Sequence, residues 1–260
     1  MNITSCQAAV GEAFPAGVSR LEYASSVDGL ADWAMLWPPD RGNDWMVVIH
    51  GHGSHGDQLY TRPDIRRDWL GPVRQHGLGI LTPNLRDNSW MSPACAADLH
   101  ELLQHVRQTY GAKRFIFGSG SMGGASNILY AALQPQDVSG AVALGFVADL
   151  GAYHAWCRVK GGFSHQIADA IEAAYGGAPD LSPQAYQAHN AMDHVSRLTM
   201  PLYLAHGEAD SLMPVAEARR LAAALNASPN VAFQEIPGGG HDSPLPLMPA
   251  GLKWVLDRLK

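Results

Sequence analysis

Short apolar runs alternate with stretches of helical periodicity along the chain. That alternation predicts a mostly parallel sheet covered by helices on both faces. Residues 18–25 and 31–37 read as two strands joined by a turn at Asp28-Gly29, with Pro38-Pro39 ending the second. Residues 45–50 (WMVVIH) form a short buried strand before the glycine-rich GHGSHGD, and 78–83 form another. Ser92-Pro93 supplies an N-cap and an N1 proline. Leu99, Leu102, Leu103, Val106 and Tyr110 then follow at helical spacing until Gly111 stops the helix. Strand 114–118 runs into SGSMGG, a helix covers 122–133, and strand 138–146 comes next. Residues 150–200 are less regular, with one helix over 167–175. Strand 201–205 leads into HGEAD and a helix over 215–225, strand 231–236 leads into PGGGHD, and an amphipathic helix covers 247–259. Four apolar strands thus end in polar, glycine-rich loops. In open α/β sheets ligands bind at such carboxyl ends, so chemistry is expected there.

SGSMGG lies between a strand and a helix. A nucleophilic serine needs a sharp turn there, with small residues two before and two after it. Ser121 has Ser119 and Gly123 in those places, whereas Ser119 would have bulky Phe117 before it. Ser121 is therefore the candidate nucleophile, with Ser119 standing where a glycine is usual. A phosphate-binding helix start is the bland alternative, but the lysine of a phosphate loop is absent. A serine hydroxyl needs a general base, and the base needs an orienting acid. His241 in GGGHD and Asp210 in HGEAD each follow a strand, and the order Ser121, Asp210, His241 suits this architecture. Taken singly, His241 reads equally well as a loop histidine and Asp210 as a helix cap. HGHGS after the 45–50 strand offers the backbone N–H of His52 as one oxyanion donor, and Met122 N–H is the second.

Composition narrows the classes. The chain has 260 residues, 47% of them apolar and 16% charged, which excludes a disordered chain. No apolar run approaches ~18 residues, so no membrane span is expected. The net charge is −6 and the 18 basic residues are scattered, so nucleic acid is not an expected partner. Three cysteines, an odd count, fit a reducing compartment, and the N-terminus shows neither a basic n-region nor an apolar h-region. A cytoplasmic protein is expected. There is no internal repeat, and one domain over residues 1–260 is expected, with 150–200 a modest excursion beside the active site.

These motifs resemble the α/β-hydrolases, and are most similar to the branch of serine esterases that holds dienelactone hydrolases and prolyl-oligopeptidase-like enzymes. The resemblance spans nearly the whole chain: the SSVDGLADWAMLWPP hairpin, HGHGS, SGSMGG, HGEAD with Leu212-Met213-Pro214, and GGGH. It implies an α/β-hydrolase fold with a mostly parallel central sheet, an antiparallel N-terminal hairpin and no large cap domain. Larger relatives gate peptide entry with a propeller, and none is present in these residues. Serine stands where dienelactone hydrolases carry cysteine. Neither gated oligopeptidase nor dienelactone chemistry is therefore expected.

The reading is a serine carboxylesterase acting on a small-molecule ester, short-acyl or carbohydrate-linked, through Ser121, with no cofactor and no metal. An acyltransferase or a small peptidase or amidase on the same triad is the alternative. A second rival uses His50, His52 and His55, whose H-x-H-x-x-H spacing resembles the metal loop of metallo-β-lactamase-type hydrolases, though Ser54 stands where an aspartate is normal. That rival leaves SGSMGG and GGGH unexplained; on the esterase reading His50 packs under the oxyanion loop and His52 and His55 line the pocket rim. A non-catalytic binding protein would leave three triad candidates idle. Trp90, Tyr153, His154, Trp156 and Phe163 are candidate substrate-binding residues, each with core packing as its alternative. Asp149 is an alternative acid whose simpler role is a turn or a cap. Glu208 is expected to be structural, and Asp242, Arg158 and Lys160 to be solvated.

Overall fold

The structure, a computed structural model, describes residues 1–226 and 228–260. Nine strands form one sheet: β1 (Asn2–Ala8), β2 (Ser19–Ala24), β3 (Ala31–Trp37), β4 (Asp44–Val47), β5 (Gly79–Pro83), β6 (Arg114–Gly120), β7 (Gly140–Leu144), β8 (Leu202–Gly207) and β9 (Val231–Ile236). Their order across the sheet is β1-β2-β3-β5-β4-β6-β7-β8-β9. β1, β2 and β3 pair antiparallel, and β3 pairs antiparallel with β5. From β5 to β9 every pairing is parallel.

The parallel strands are buried on both faces, which is why they read as unbroken apolar runs. Side chains alternate across the pleat. Trp45, Val47, Phe115, Phe117, Ala141 and Ala143 pack into one core with the Pro93–Tyr110 and Met122–Leu133 helices. Met46, Ile116, Val142 and Leu144 enter a second core with the Met248–Arg258 helix. The fold is thus an α/β-hydrolase sheet with helices on both faces. Among the described residues no helix is long and apolar enough to cross a membrane.

Several sequence expectations need adjustment. β1 was not expected. Its seven residues, NITSCQA, are mostly polar and none is buried, so no apolar period marks it. Ladder pairing ends at Val47, so β4 is shorter than 45–50, although Val48 N–H still bonds Leu81 O at 2.9 Å. Strand 138–146 contracts to Gly140–Leu144. Residues 150–200 are more regular than expected: helices Leu150–Lys160, Phe163–Tyr175 and Pro183–Ala188 precede the 3-10 segment Ala191–Arg197. Short helical turns also fill residues 58–75, including a π-helical turn at Arg66–Leu70.

The strand order reverses at β4, with β5 on one side of it and β6 on the other. Such a switch point opens a crevice above the carboxyl ends of the strands. The loops after β4 and β6 meet there, and those after β8 and β9 join them.

Candidate active site

Ser121 sits at the turn between β6 and the Met122–Leu133 helix, with φ 59° and ψ −131°. That backbone is strained for a residue with a side chain, and it lifts the hydroxyl clear of the sheet. Its N–H is held by Leu144 O at 2.8 Å. The turn passes so close to the neighbouring chain that a Cβ on Gly123 would lie 2.1 Å from Ile49 O. Ser119 is fully buried, and its hydroxyl accepts the Ile49 N–H at 2.8 Å. The serine in place of the usual glycine therefore ties the Ser121 turn to the loop after β4.

His241 Nε2 lies 2.8 Å from Ser121 Oγ, and His241 Nδ1 lies 2.7 Å from Asp210 Oδ2. The other carboxylate oxygen, Asp210 Oδ1, accepts the N–H groups of Leu212 at 2.7 Å and Met213 at 2.9 Å. Close contact between the loops fixes this line: a Cβ on Gly207 would lie 2.3 Å from Gly240 O, and Ala209 N–H bonds Gly239 O at 2.8 Å. Burial pushes the Asp210 carboxyl up, but hydrogen bonds from His206 and His241 overcome it and hold the group below the usual carboxylate range.

His206 is a site residue that sequence reasoning missed. Its ring is fully buried. Nδ1 accepts the Phe146 N–H at 3.3 Å, so the proton sits on Nε2, 3.1 Å from Met213 O and 3.3 Å from Asp210 Oδ2. The signal was present in the HG pair before Glu208, but a histidine at a strand end looks like any other.

In the loop after β4, Gly51 N–H donates to Gln58 Oε1 at 2.9 Å and Gly53 N–H to Asn88 Oδ1 at 2.7 Å. No acceptor among the described residues takes the His52 N–H between them. Met122 N–H belongs to the first helical turn, whose amides have no intrahelical partner. Both expected oxyanion donors therefore have N–H groups to offer.

The three histidines of the metal reading do not converge. His50 is buried with each ring nitrogen 2.8 Å from a carbonyl oxygen, of Gly51 and Asn84. His52 receives the Trp90 Nε1–H at 3.3 Å, and His55 turns outward to Asp87 at 3.1 Å. Among the described residues no group of three potential ligands could hold a metal ion. His55 also misses the pocket rim, contrary to expectation, because its exposed ring faces Asp87.

A cavity of about 230 Å³ opens over Ser121 and His241. His52, Trp90, Tyr153 and Phe163 line it, with Arg62 and Trp69 from the unanticipated 58–75 turns. Burial lowers the basicity of the His52 ring, with His50 nearby adding to this, in keeping with its acceptor role toward Trp90. His154 and Trp156 are not part of this lining. At ~100° per residue, the helix that turns Tyr153 inward turns them away. His154 pairs with Glu172 at 2.6 Å, and Trp156 stacks on the outer side of Tyr153 at 5.9 Å. Asp149 caps the Leu150–Lys160 helix, accepting Ala152 N–H at 2.9 Å, and its other carboxylate oxygen lies 3.7 Å from Arg220. Glu208 accepts Gly238 N–H at 2.9 Å. Asp242 lies 3.3 Å from Arg62, so it is paired as well as solvated. Arg158 pairs with Glu172 and Asp169, and Lys160 reaches Ser211 O.

The comparisons agree with this architecture. A fluorophosphonate-binding serine hydrolase of Staphylococcus aureus superposes with a TM-score of 0.69 at 17% identity, covering 92% of this chain and 98% of its own. An S-formylglutathione hydrolase of Agrobacterium tumefaciens gives 0.69 at 15% identity, covering 100% of both chains. A puromycin-hydrolyzing peptidase of Mycobacterium tuberculosis gives 0.63 at 19% identity, covering 92% of this chain and 38% of its own. These likenesses speak for the fold. No curated protein matches the sequence. The model of the prolyl oligopeptidase family matches residues 92–247, well over half of the chain and the stretch that carries Ser121, Asp210 and His241. This chain is an α/β-hydrolase and belongs to the prolyl oligopeptidase family.

Proposed function

We propose that the protein is a serine carboxylesterase that hydrolyses short-acyl or carbohydrate-linked esters through an acyl-enzyme on Ser121. The observation that carries this reading is the unbroken line Ser121–His241–Asp210, with links of 2.8 and 2.7 Å, at the floor of an accessible cavity. Ser121 Oγ attacks the ester carbonyl as His241 Nε2 takes its proton. The carbonyl oxygen becomes an oxyanion held by the N–H groups of His52 and Met122. Collapse expels the alcohol, which receives the proton from His241. Water then repeats the sequence against the acyl-enzyme and releases the acid. Asp210 holds the Nδ1–H tautomer and stabilises the imidazolium that forms transiently.

The cavity of about 230 Å³ suits a short acyl group. Arg62 and Asp242 at its edge offer hydrogen bonds to a hydroxyl-rich alcohol. The cytoplasm is the proposed compartment, on the odd count of three cysteines. A second reading, a peptidase or amidase on the same triad, is favoured by the family and by the peptidase among the structural neighbours.

The test is hydrolysis of a p-nitrophenyl acyl series from acetate upward, beside an aminoacyl p-nitroanilide. Wild type and Ser121→Ala are compared with and without a chelator. Ester hydrolysis that falls by about 10⁴ or more in Ser121→Ala and ignores the chelator is expected. Faster anilide than ester turnover would move the reading to the peptidase. Activity that survives Ser121→Ala and dies with chelator would remove the serine mechanism.

A further inference from the structure

Among the described residues six non-glycine residues have a left-handed φ, and one is Ser121. The other five lie in one stretch after β5: Leu85 at 51°, Arg86 at 61°, Asp87 at 57°, Trp90 at 49° and Met91 at 55°. Side-chain-bearing residues avoid this region, and a run of them persists only where the surroundings over-determine it.

One side of the stretch is clamped. Arg86 Nε donates to Asp98 Oδ2 at 2.6 Å, its Nη1 to Asp28 at 2.7 Å and its Nη2 to Ser25 Oγ at 2.8 Å. Arg86 N–H donates to Asp32 Oδ2 at 2.7 Å, and Asn84 Nδ2 to Asp32 Oδ1 at 2.9 Å. Asp98 is fully buried on the Pro93–Tyr110 helix, and Asp28 and Asp32 belong to the β2–β3 hairpin. Two separate elements therefore hold the strained backbone.

The other side grips the loop after β4. Asn84 O meets His50 Nε2 at 2.8 Å, Asn84 Oδ1 accepts Gly56 N–H at 3.1 Å, and Asn88 Oδ1 accepts Gly53 N–H at 2.7 Å. Trp90 adds its bond to His52 at 3.3 Å. The amides on either side of His52 are thus both satisfied within the protein, Gly51 by Gln58 and Gly53 by Asn88. Of these three amides, only the one between them has no acceptor among the described residues and is left for a reacting oxygen.

We propose that residues 84–91 are a rigid template for the oxyanion loop, and that Asn88 is its positioning residue. The proposal rests on the reading of the site as a serine hydrolase that uses the His52 N–H. Asn88 touches no reacting atom. Its amide oxygen fixes the Gly53 amide, and so the tilt of the adjoining His52 peptide. Without that acceptor the Gly53 N–H turns toward another partner, and the His52 N–H swings off the position where negative charge develops. The loss falls on the transition state and spares ground-state binding.

Asn88→Ala is the test, with Asn88→Ser as a second variant whose hydroxyl is too short to reach Gly53. Each is assayed for kcat and KM on p-nitrophenyl acetate, for inhibition by butylboronic acid, and for Tm. Boronate adds to the serine and places a tetrahedral oxygen where the oxyanion forms. The expected result is a kcat about 10-fold to 100-fold lower, KM within twofold of wild type, and a boronate Ki raised by the same factor as kcat falls. A kcat within threefold of wild type overturns the proposal. So does a kcat loss that the boronate Ki does not follow, or a change confined to KM. If one variant does not fold, the other decides. Ser121→Ala, run alongside, separates the two levels: if it stays active the hydrolase reading fails, whereas if it is inactive and both Asn88 variants behave as wild type only the template fails.

Discussion

Single side chains decide how the turn at Ser121 is held. Ser119 Oγ is the acceptor of the buried Ile49 N–H, so Ser119→Ala leaves that donor without a partner. An orphaned buried donor costs about 1–3 kcal/mol, and chemical denaturation of Ser119→Ala is expected to show a loss of that order. A loss below about 0.5 kcal/mol would mean the amide finds another acceptor. Asp210 accepts hydrogen bonds from two histidines, and Asp210→Asn is expected to lower kcat by about 10⁴ because the tautomer of His241 is no longer fixed. Retention of activity in that variant, with loss in Asp149→Asn, would relocate the acid. Glu217 presents a different electrostatic situation. Its Oε2 is buried without a partner among the described residues, and burial raises its carboxyl above the usual carboxylate range despite Arg220. A raised folded-state value means stability is complete below the unfolded value and declines as pH rises through the folded one. Glu217→Gln should therefore gain Tm relative to wild type between pH 4 and pH 7, and a constant difference across that range would refute the assignment.

At the level of elements, the structure explains which candidate residues reach the site. The Leu150–Lys160 helix carries Tyr153, His154 and Trp156 within four positions, and its rotation admits only the first to the cavity. No sequence window reveals that phase, because the buried His154 is satisfied by Glu172 and interrupts the apolar period. His206 was illegible for a related reason: a buried ring held by Phe146 N–H, Met213 O and Asp210 looks in sequence like any histidine at a strand end. The strain of residues 85–91 is equally invisible, since none of them is glycine and only dihedral angles reveal it. Arg86 holds that stretch, and Arg86→Ala leaves the Asp98 carboxylate buried without its cation. Breaking such a pair costs on the order of 3–5 kcal/mol, so a fall in Tm of several degrees is expected together with a loss of kcat. Unchanged Tm would show that Asp98 gains water or another donor.

Across the whole molecule, what could be read in advance was the set of strand ends. Apolar runs terminating in HGHGS, SGSMGG, HGEAD and GGGH place four loops at one edge of a parallel sheet, and any chain that pairs those strands must bring them together. The 58–75 turns carry no comparable period, being short and broken by Pro63 and Pro72, so the part of the cavity wall made by Gln58, Arg62, Ile65 and Trp69 was hidden. β1 was hidden because it is the outermost strand and none of its residues is fully buried, Ile3 alone packing partly against the core. That position also gives it a colloidal task. β2 carries the buried Leu21 and Tyr23, and β1 occupies its outer row of backbone donors and acceptors. A variant beginning at Ala9 would keep the Ser121 cleft, and its kcat on p-nitrophenyl acetate should stay within about twofold. Light scattering should instead record slow association, because the bared edge of β2 pairs with the same edge of another copy. The polar hem of the sheet would then govern how long the protein stays dispersed, and leave turnover untouched.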